Sequence, residues 1–301
     1  MRDNHTDEDP FGDRLYEALR LGSDIGNALV QNQPLSELLN TCVQHLVSHL
    51  DVAFARIWTL NEDENVLELQ ASAGMYTGLD GAHSRVRVGS FKIGLIAQER
   101  APHLTNDVPN DPRISDKEWA VREGMIAFAG YPLIVADRLM GVMSVFAKHP
   151  LHEGTLSAMA SVANGLANGI ERKRIEAALS QSEEQYRLVA ETANDAIISI
   201  DDKSTILFVN EAASRIFGHE QDQMTGKSLT MLMPEYLREV HKAGQARYVR
   251  TGKKHIRWDH VEVPALYKKG HEFPIELSFG DYKKQGKHIF IAVYEPLALT
   301  A

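Results

Sequence analysis

The side chains of this 301-residue chain that could do chemistry are few and scattered. The single cysteine, Cys42, lies in the apolar-periodic segment Leu39–Leu50, where a small packed side chain is expected rather than a nucleophile. One cysteine excludes an intramolecular disulfide and every multi-cysteine zinc site, and it fits a reducing compartment. Asp107 and Asp111 could be imagined as a carboxylate pair. They sit in Asn106-Asp-Val-Pro-Asn-Asp-Pro112, however, where turn chemistry predicts that they cap local backbone. No Gly-x-Ser-x-Gly elbow, phosphate loop, paired-histidine metal motif or dinucleotide glycine set stands out. No phosphoacceptor histidine is followed by an ATP-binding region, so enzyme activity is not expected. One histidine has a suggestive setting. Leu237, His241, Gly244 and Tyr248 recur by four, three and four and so share one helix face. A boundary histidine at a helix surface is the plain reading of such a position. Trp58, Phe91 and Trp119 could line a second pocket, or be ordinary core.

The elements that must position these residues follow from periodicity. Residues 15–50 carry helical spacing that Pro34 splits in two. Two strands, 53–60 and 66–72, flank a polar hairpin loop. An irregular insert follows, with a short helix at Ile93–Glu99 and another at Ser115–Glu123, where Ser115 and Glu118 form a capping box. Strands 127–135 and 142–146 complete an antiparallel sheet expected to carry its helices on one face. From Glu153 a helix runs without a proline to about Ala193, some 60 Å at 1.5 Å per residue. Within it Ile175, Leu179, Ser182, Tyr186 and Val189 alternate by four and three, a short heptad seam that predicts a dimeric coiled coil. The second half reads as strands 196–200, 206–209, 255–263, 273–279 and 288–293, with short helices between the second and third and one at Pro234–Arg250. A pocket between helices and sheet would be walled by Ile197, Ile206, Met231, Met233, Leu277, Ile289 and Ile291.

Bulk properties narrow the class. The net charge is −9, with 24% charged and 44% hydrophobic residues. The densest basic run, Arg172-Lys173-Arg174, lies beside Glu171 and Glu176 and reads as a solvated helix face, so neither nucleic acid nor an anionic membrane is an expected partner. The acidic start lacks a secretion signal, and no apolar run could span a membrane, which points to the cytoplasm. The fold class is α+β: two domains, each with a central antiparallel sheet, joined by one long helix. The expected division is a disordered acidic stretch at 1–14, a first domain at 15–169, a linker helix or coiled coil at 170–192, a second domain at 184–295 and a tail at 296–301.

The first domain resembles GAF domains. The likeness rests on Phe54-Ala-Arg-Ile-Trp58, Gly94-Leu-Ile-Ala97, Asn106-Asp107 with Asp111-Pro-Arg113, and Ala129-Gly-Tyr-Pro-Leu133 before Leu139-Met-Gly-Val142. The family binds small effectors or dimerises. The Asn-Lys-Phe-Asp-Glu set of its cyclic-nucleotide type is missing, and Cys42 precedes the first strand, so no covalent bilin is expected. The second domain resembles PAS domains through Asp195–Ile200, Val209-Asn-Glu-Ala-Ala213, Ile216-Phe-Gly218, Leu232-Met-Pro234 and Lys269–Leu277. It lacks the Asn-Cys-Arg motif of flavin photoadduct domains, so no flavin-cysteinyl adduct is expected. Met233–His241 and Ala246–Gly252 look like the helix that carries the proximal ligand in FixL-type oxygen sensors. That likeness implies a heme b whose iron would take His241, with Arg247 and His255 as partners of the propionates. The gas-sensing arginine of those sensors is absent: the stretch reads Trp258-Asp-His-Val261. Together the resemblances imply a cytoplasmic sensory module that binds a small effector or partner and relays it through a homodimer of the 170–192 helix. The alternatives are a heme-based gas or redox sensor and the input portion of a sensor histidine kinase, with a downstream signalling protein or kinase as partner.

Overall fold

The computed structural model describes residues 10–297 except Ser115, His255 and Ile256, and for residues 10–17 the backbone alone. The chain divides into two compact units, 1–178 and 179–301. The first is built on a six-stranded antiparallel sheet: β1 (Phe54–Asn61), β2 (Val66–Gly74), β3 (Arg85–Arg87), β4 (His103–Thr105), β5 (Ala127–Val135) and β6 (Arg138–Ala147), in the order β3-β2-β1-β6-β5-β4. The edge strands β3 and β4 are three residues each and lie in the stretch read from sequence as irregular. Strand alternation sends successive side chains to opposite faces. Ala55, Ile57, Met143 and Val145 face a core shared with α1 (Pro10–Val30), α2 (Leu35–Leu50) and the first half of α5 (Glu153–Thr192). Phe54, Trp58, Phe128 and Val142 face a second core, closed by α3 (Phe91–Glu99) and α4 (Lys117–Glu123). Helices therefore cover both faces of this sheet, where the sequence suggested one. The reason is that the insert between β2 and β5 folds back over the aromatic face. Gly141 in β6 is required by close approach to β1, since a Cβ there would stand 2.0 Å from the Trp58 carbonyl oxygen.

Helix α1 starts at Pro10, inside the stretch 1–14 expected to be disordered; proline favours a first helical turn. Residues 1–9 lie outside the described residues. Leu21, Ile25 and Ala28 of α1 are buried at a helical spacing. Pro34 precedes α2 as its N-cap residue. Asp116, not Ser115, caps α4, its carboxylate accepting the Trp119 N–H at 2.8 Å; Ser115 itself lies outside the described residues.

Helix α5 is 40 residues long. Its buried residues end at Ile170. Beyond that point Ile175, Leu179, Tyr186 and Val189 are all more than half exposed. The basic run is less solvated than expected: Arg172 and Arg174 donate to the carbonyls of Leu29 and Leu60, and Lys173 to Glu176.

The second unit holds β7 (Ala196–Ile200), β8 (Ile206–Val209), β9 (Val261–Leu266), β10 (Glu272–Lys284) and β11 (Lys287–Pro296), an antiparallel sheet in the order β8-β7-β11-β10-β9. Between β8 and β9 come α6 (Glu211–Phe217), α7 (Gln221–Met224), a 3-10 turn at Leu229–Leu232 and α8 (Glu235–Thr251). Strand β9 starts at Val261 rather than 255: residues 258–260 bend, and His260 has a φ of 53°, which breaks a strand ladder. Strand β11 takes in Pro296, paired with Ile275, so the last strand reaches into the stretch read as tail; residues 298–301 lie outside the described residues.

Asn210 joins three of these elements. It is fully buried, and all four hydrogen-bonding positions of its side-chain amide are used. Oδ1 accepts from the N–H groups of Ile197 (2.9 Å) and Ala213 (3.0 Å), and Nδ2 donates to the carbonyls of Ala190 (2.8 Å) and Asp195 (2.9 Å). The end of α5, the start of β7 and the N-terminus of α6 thus meet on one side chain.

Candidate functional site

In the second unit a cavity of about 340 Å³ lies between α8 and the concave sheet face. Its walls are mainly apolar: Ile198 and Ile200 from β7, Ile275 and Leu277 from β10, Phe290 and Ala292 from β11. Met233 and Leu277 of the expected wall are present. Ile206 packs in the surrounding core and Met231 against it. Ile197, Ile289 and Ile291 are not in the wall; their neighbours Ile198, Phe290 and Ala292 are. β11 is apolar on both phases over Ile289–Ala292, so its pattern could not fix which face turns inward, whereas in β7 Ser199 shares the outer phase with Ile197; a slip of one residue flips every side chain.

His241 lines this cavity from α8, as its helix face predicted. Its Nε2 is 3.0 Å from Oγ of Ser204, a buried residue of the β7–β8 turn with a φ of 65°. Ser204 also donates to Gln245 Oε1, and Gln245 Nε2 donates to the Asp201 carbonyl at 2.8 Å. With the serine proton on Gln245, the imidazole is the donor to Ser204. Burial, then the charge of Lys242, holds the His241 pKa below its ordinary value and keeps the ring neutral. Arg247, Lys253 and Lys254 place cations on the same cavity, and Lys254 Nζ stands 3.9 Å from the Trp258 ring centroid. Trp258 occupies the floor, 4.8 Å from Phe279 and 4.7 Å from Tyr248 between centroids. Tyr248 donates to Asp281 at 2.9 Å, and the His288 ring lies 2.6 Å from the other oxygen of that carboxylate. His255 lies outside the described residues.

The first unit has a cavity of about 270 Å³ on its aromatic face. Trp58 and Trp119 both line it; Trp58 is also core, 2% exposed, with its indole N–H on the His83 carbonyl. Phe91 lines the cavity while half exposed. The charged groups here escaped sequence reading. Asp111 does cap locally, accepting the Arg113 N–H at 2.8 Å, but its other oxygen receives Lys92 Nζ at 2.5 Å and lies 3.4 Å from His103 Nε2. Lys92 is 4% exposed and also stands over the Phe128 ring at 4.3 Å. Burial pushes the Asp111 carboxyl up, but the Lys92 and Arg113 hydrogen bonds, the Lys92 charge and His103 override it and hold it at about 2. Burial pushes Lys92 down against the opposing pull of Asp111. Arg56 reaches the cavity from β1, between Phe54 and Trp58 on the same strand face.

One further cluster lies where α1 meets α2. His45 and His49, four apart on α2, and Asp24 of α1 hold three possible ligand atoms within 4.8 Å of one another. His49 Nε2 is 2.8 Å from Asp24 Oδ2, and His45 Nδ1 is 4.0 Å from it. These side chains could hold a divalent cation. The four-residue spacing was legible; the carboxylate from a different helix was not. Cys42 is buried and free, and burial raises its thiol to about 12, which leaves it unreactive.

Residues 32–171 match the family model described as GAF domain, and residues 184–292 match that described as PAS fold. Among curated proteins, the chain is 31% identical over 173 residues to an uncharacterized protein of Azorhizobium caulinodans, covering 56% of this chain and 23% of that one. It is 33% identical over 120 residues to the sensor protein FixL of Bradyrhizobium diazoefficiens, covering 40% of this chain and 24% of FixL. The similarity thus spans about a quarter of each relative's length. A solved GAF domain from a phosphoenolpyruvate-protein phosphotransferase of Coxiella burnetii superposes with a TM-score of 0.48 at 21% identity, over 54% of this chain and 98% of that domain. Among the described residues no helix is long and apolar enough to cross a membrane.

Proposed function

We propose that this chain, a GAF domain followed by a PAS domain, is a cytoplasmic sensory input whose PAS cavity takes an apolar effector and whose helix α5 relays occupancy. The observation that carries the reading is Asn210. The sheet that floors the cavity begins at β7, and the side chain that holds the start of β7 also holds Ala190 near the end of α5. A ligand that shifts the sheet face shifts the same hydrogen-bonded knot. A relay also needs an element with two packings. The exposed stripe of Ile175, Leu179, Tyr186 and Val189, with Ser182 as its polar member, has heptad spacing and suits a second copy of the chain. In this reading the protein is a homodimer that passes its state to a downstream kinase or signalling protein, and catalysis is no part of its role. Analytical ultracentrifugation tests the relay: the wild type is expected to be a dimer at tens of micromolar, and Leu179→Glu with Val189→Glu a monomer. A wild-type monomer refutes it.

A second reading, a heme sensor, has the placement of His241 behind it. The residues fit heme b in kind: a neutral imidazole, apolar walls, and Arg247, Lys253 and Lys254 for the propionates. Binding requires the imidazole to leave Ser204 and Trp258 to yield part of the cavity floor. A bound heme would supply a gas- or redox-responsive iron. Hemin titration of the purified chain decides between the readings: a Soret band that is lost in His241→Ala supports heme, and no band, or one unchanged by the substitution, rules it out.

A further inference from the structure

The walls of the GAF-domain cavity are aromatic on several sides. Phe54 stacks on Phe146 with centroids 4.8 Å apart, Trp119 meets Phe146 edge-on at 5.5 Å, and the Trp119 indole N–H donates to the Tyr76 hydroxyl at 3.1 Å. Two guanidiniums line this cavity: Arg113, which reaches His103 Nδ1 at 3.3 Å and lies 3.7 Å from Glu99, and Arg56, which stands among the aromatic rings. Arg56 lies 5.2 Å from the Phe54 centroid and 5.9 Å from that of Tyr76. Its Nε donates to Ser72 Oγ at 3.3 Å, and its two terminal nitrogens make no hydrogen bond among the described residues.

The acidic groups nearby are committed elsewhere. Asp111 is paired with Lys92. Asp116 caps α4 through the Trp119 N–H. Glu99 lies 3.7 Å from Arg113. Arg56 has no carboxylate partner among the described residues, yet burial pushes its pKa down. A partly buried cation without a counter-ion is costly, and proteins seldom keep one idle. A guanidinium fork with both ends free matches a carboxylate in bidentate geometry. Among the described residues lining the cavity, Lys92 and Arg113 have acidic partners and Arg56 does not, and Asp116 also lines it, which disfavours a dianion.

We infer that the GAF cavity binds a small aromatic monocarboxylate, its ring held among Phe54, Tyr76, Trp119 and Phe146 and its carboxylate on Arg56. The inference gives the sensory reading a second ligand and rests on that reading for its meaning, not for its test.

The test is isothermal titration of the full chain with phenylacetate and benzoate against phenylacetamide and benzamide. The acids are expected to bind about 30-fold or more tightly than their amides, as a charge-assisted pair implies. Arg56→Gln should remove that preference while leaving weak amide binding. No binding of either acid at millimolar concentration, equal binding of acid and amide, or an acid preference that survives Arg56→Gln overturns the inference. If Arg56→Gln does not fold, the wild-type acid–amide ratio still decides. Failure here leaves the sensory reading standing, since that is decided by the α5 variants; a monomeric wild type would leave carboxylate binding untouched.

Discussion

Removing the Lys92–Asp111 pair whole should cost the GAF domain no more than splitting it. Both side chains are less than a tenth exposed, and their charged atoms are 2.5 Å apart. The two pKa shifts carry opposite signs in energy. Lys92, pushed down by burial, is a standing penalty below its ordinary pKa, whereas Asp111, held at about 2 against an ordinary 3.8, contributes about 2 kcal/mol above pH ~4. As a unit the pair is close to break-even, but a stranded partner is costly. Asp111→Asn removes the counter-charge and leaves the buried ammonium at most one amide oxygen, shared with the Arg113 N–H, and the Phe128 face, and we expect a loss of about 3 kcal/mol. Lys92→Met leaves a carboxylate that keeps the Arg113 N–H and His103, with an expected loss of about 2 kcal/mol. Independent effects would sum to about 5 kcal/mol; the double variant should lose no more than about 3, a coupling of about 2 kcal/mol. Urea unfolding followed by tryptophan fluorescence reads this in a Trp258→Phe background, where the remaining tryptophans, Trp58 and Trp119, both lie in the GAF domain. The pH arm has a definite sign: the Asp111 contribution is in place above pH ~4 and is lost as pH falls through about 2, so Asp111→Asn should flatten that part of the stability profile. Additive losses in the double variant would refute the reasoning.

Because His241 is held below its ordinary pKa, the folded PAS domain binds a proton less readily than the unfolded chain. Its stability should fall as pH drops through ~6.5, and His241→Gln should flatten that slope when unfolding is followed by Trp258 fluorescence. Asn210→Ala removes four hydrogen bonds of a buried side chain and should cost the PAS domain about 3 kcal/mol by denaturant unfolding, and Asn210→Asp, which sets a carboxylate oxygen against the Ala190 and Asp195 carbonyls, should cost no less. Cys42 should resist a thiol reagent in the native protein and react once the GAF domain unfolds; prompt native-state labelling would contradict its burial.

How much of this was legible in the sequence depended on the range of the information. The strand pairs around 61–65 and 201–204, the helix at 235–251 and the position of His241 follow from local spacing and turn residues, and the structure places them accordingly. The phase of β11 did not follow, because Ile289-Phe-Ile-Ala292 is apolar on both faces, whereas Ser199 between Ile198 and Ile200 marks the outer phase of β7. The short edge strands β3 and β4 were hidden in polar, glycine-rich sequence, where pairing is decided by neighbours rather than by propensity. The charged parts of the candidate sites were least visible. Lys92, Asp111 and Arg56 come from a helix, a turn and a strand, and nothing in their local sequence marks them as converging. The same holds for Asp24 with His45 and His49.

Helix α5 also sets an angular constraint. Each residue turns the helix by about 100°, so one residue inserted in α5 shifts the phase of every helix residue after it by that angle. Seven inserted residues nearly restore the phase. In the proposed relay the length of this helix counts modulo a heptad rather than absolutely, and domain exchanges are expected to keep signalling only in steps that preserve that phase.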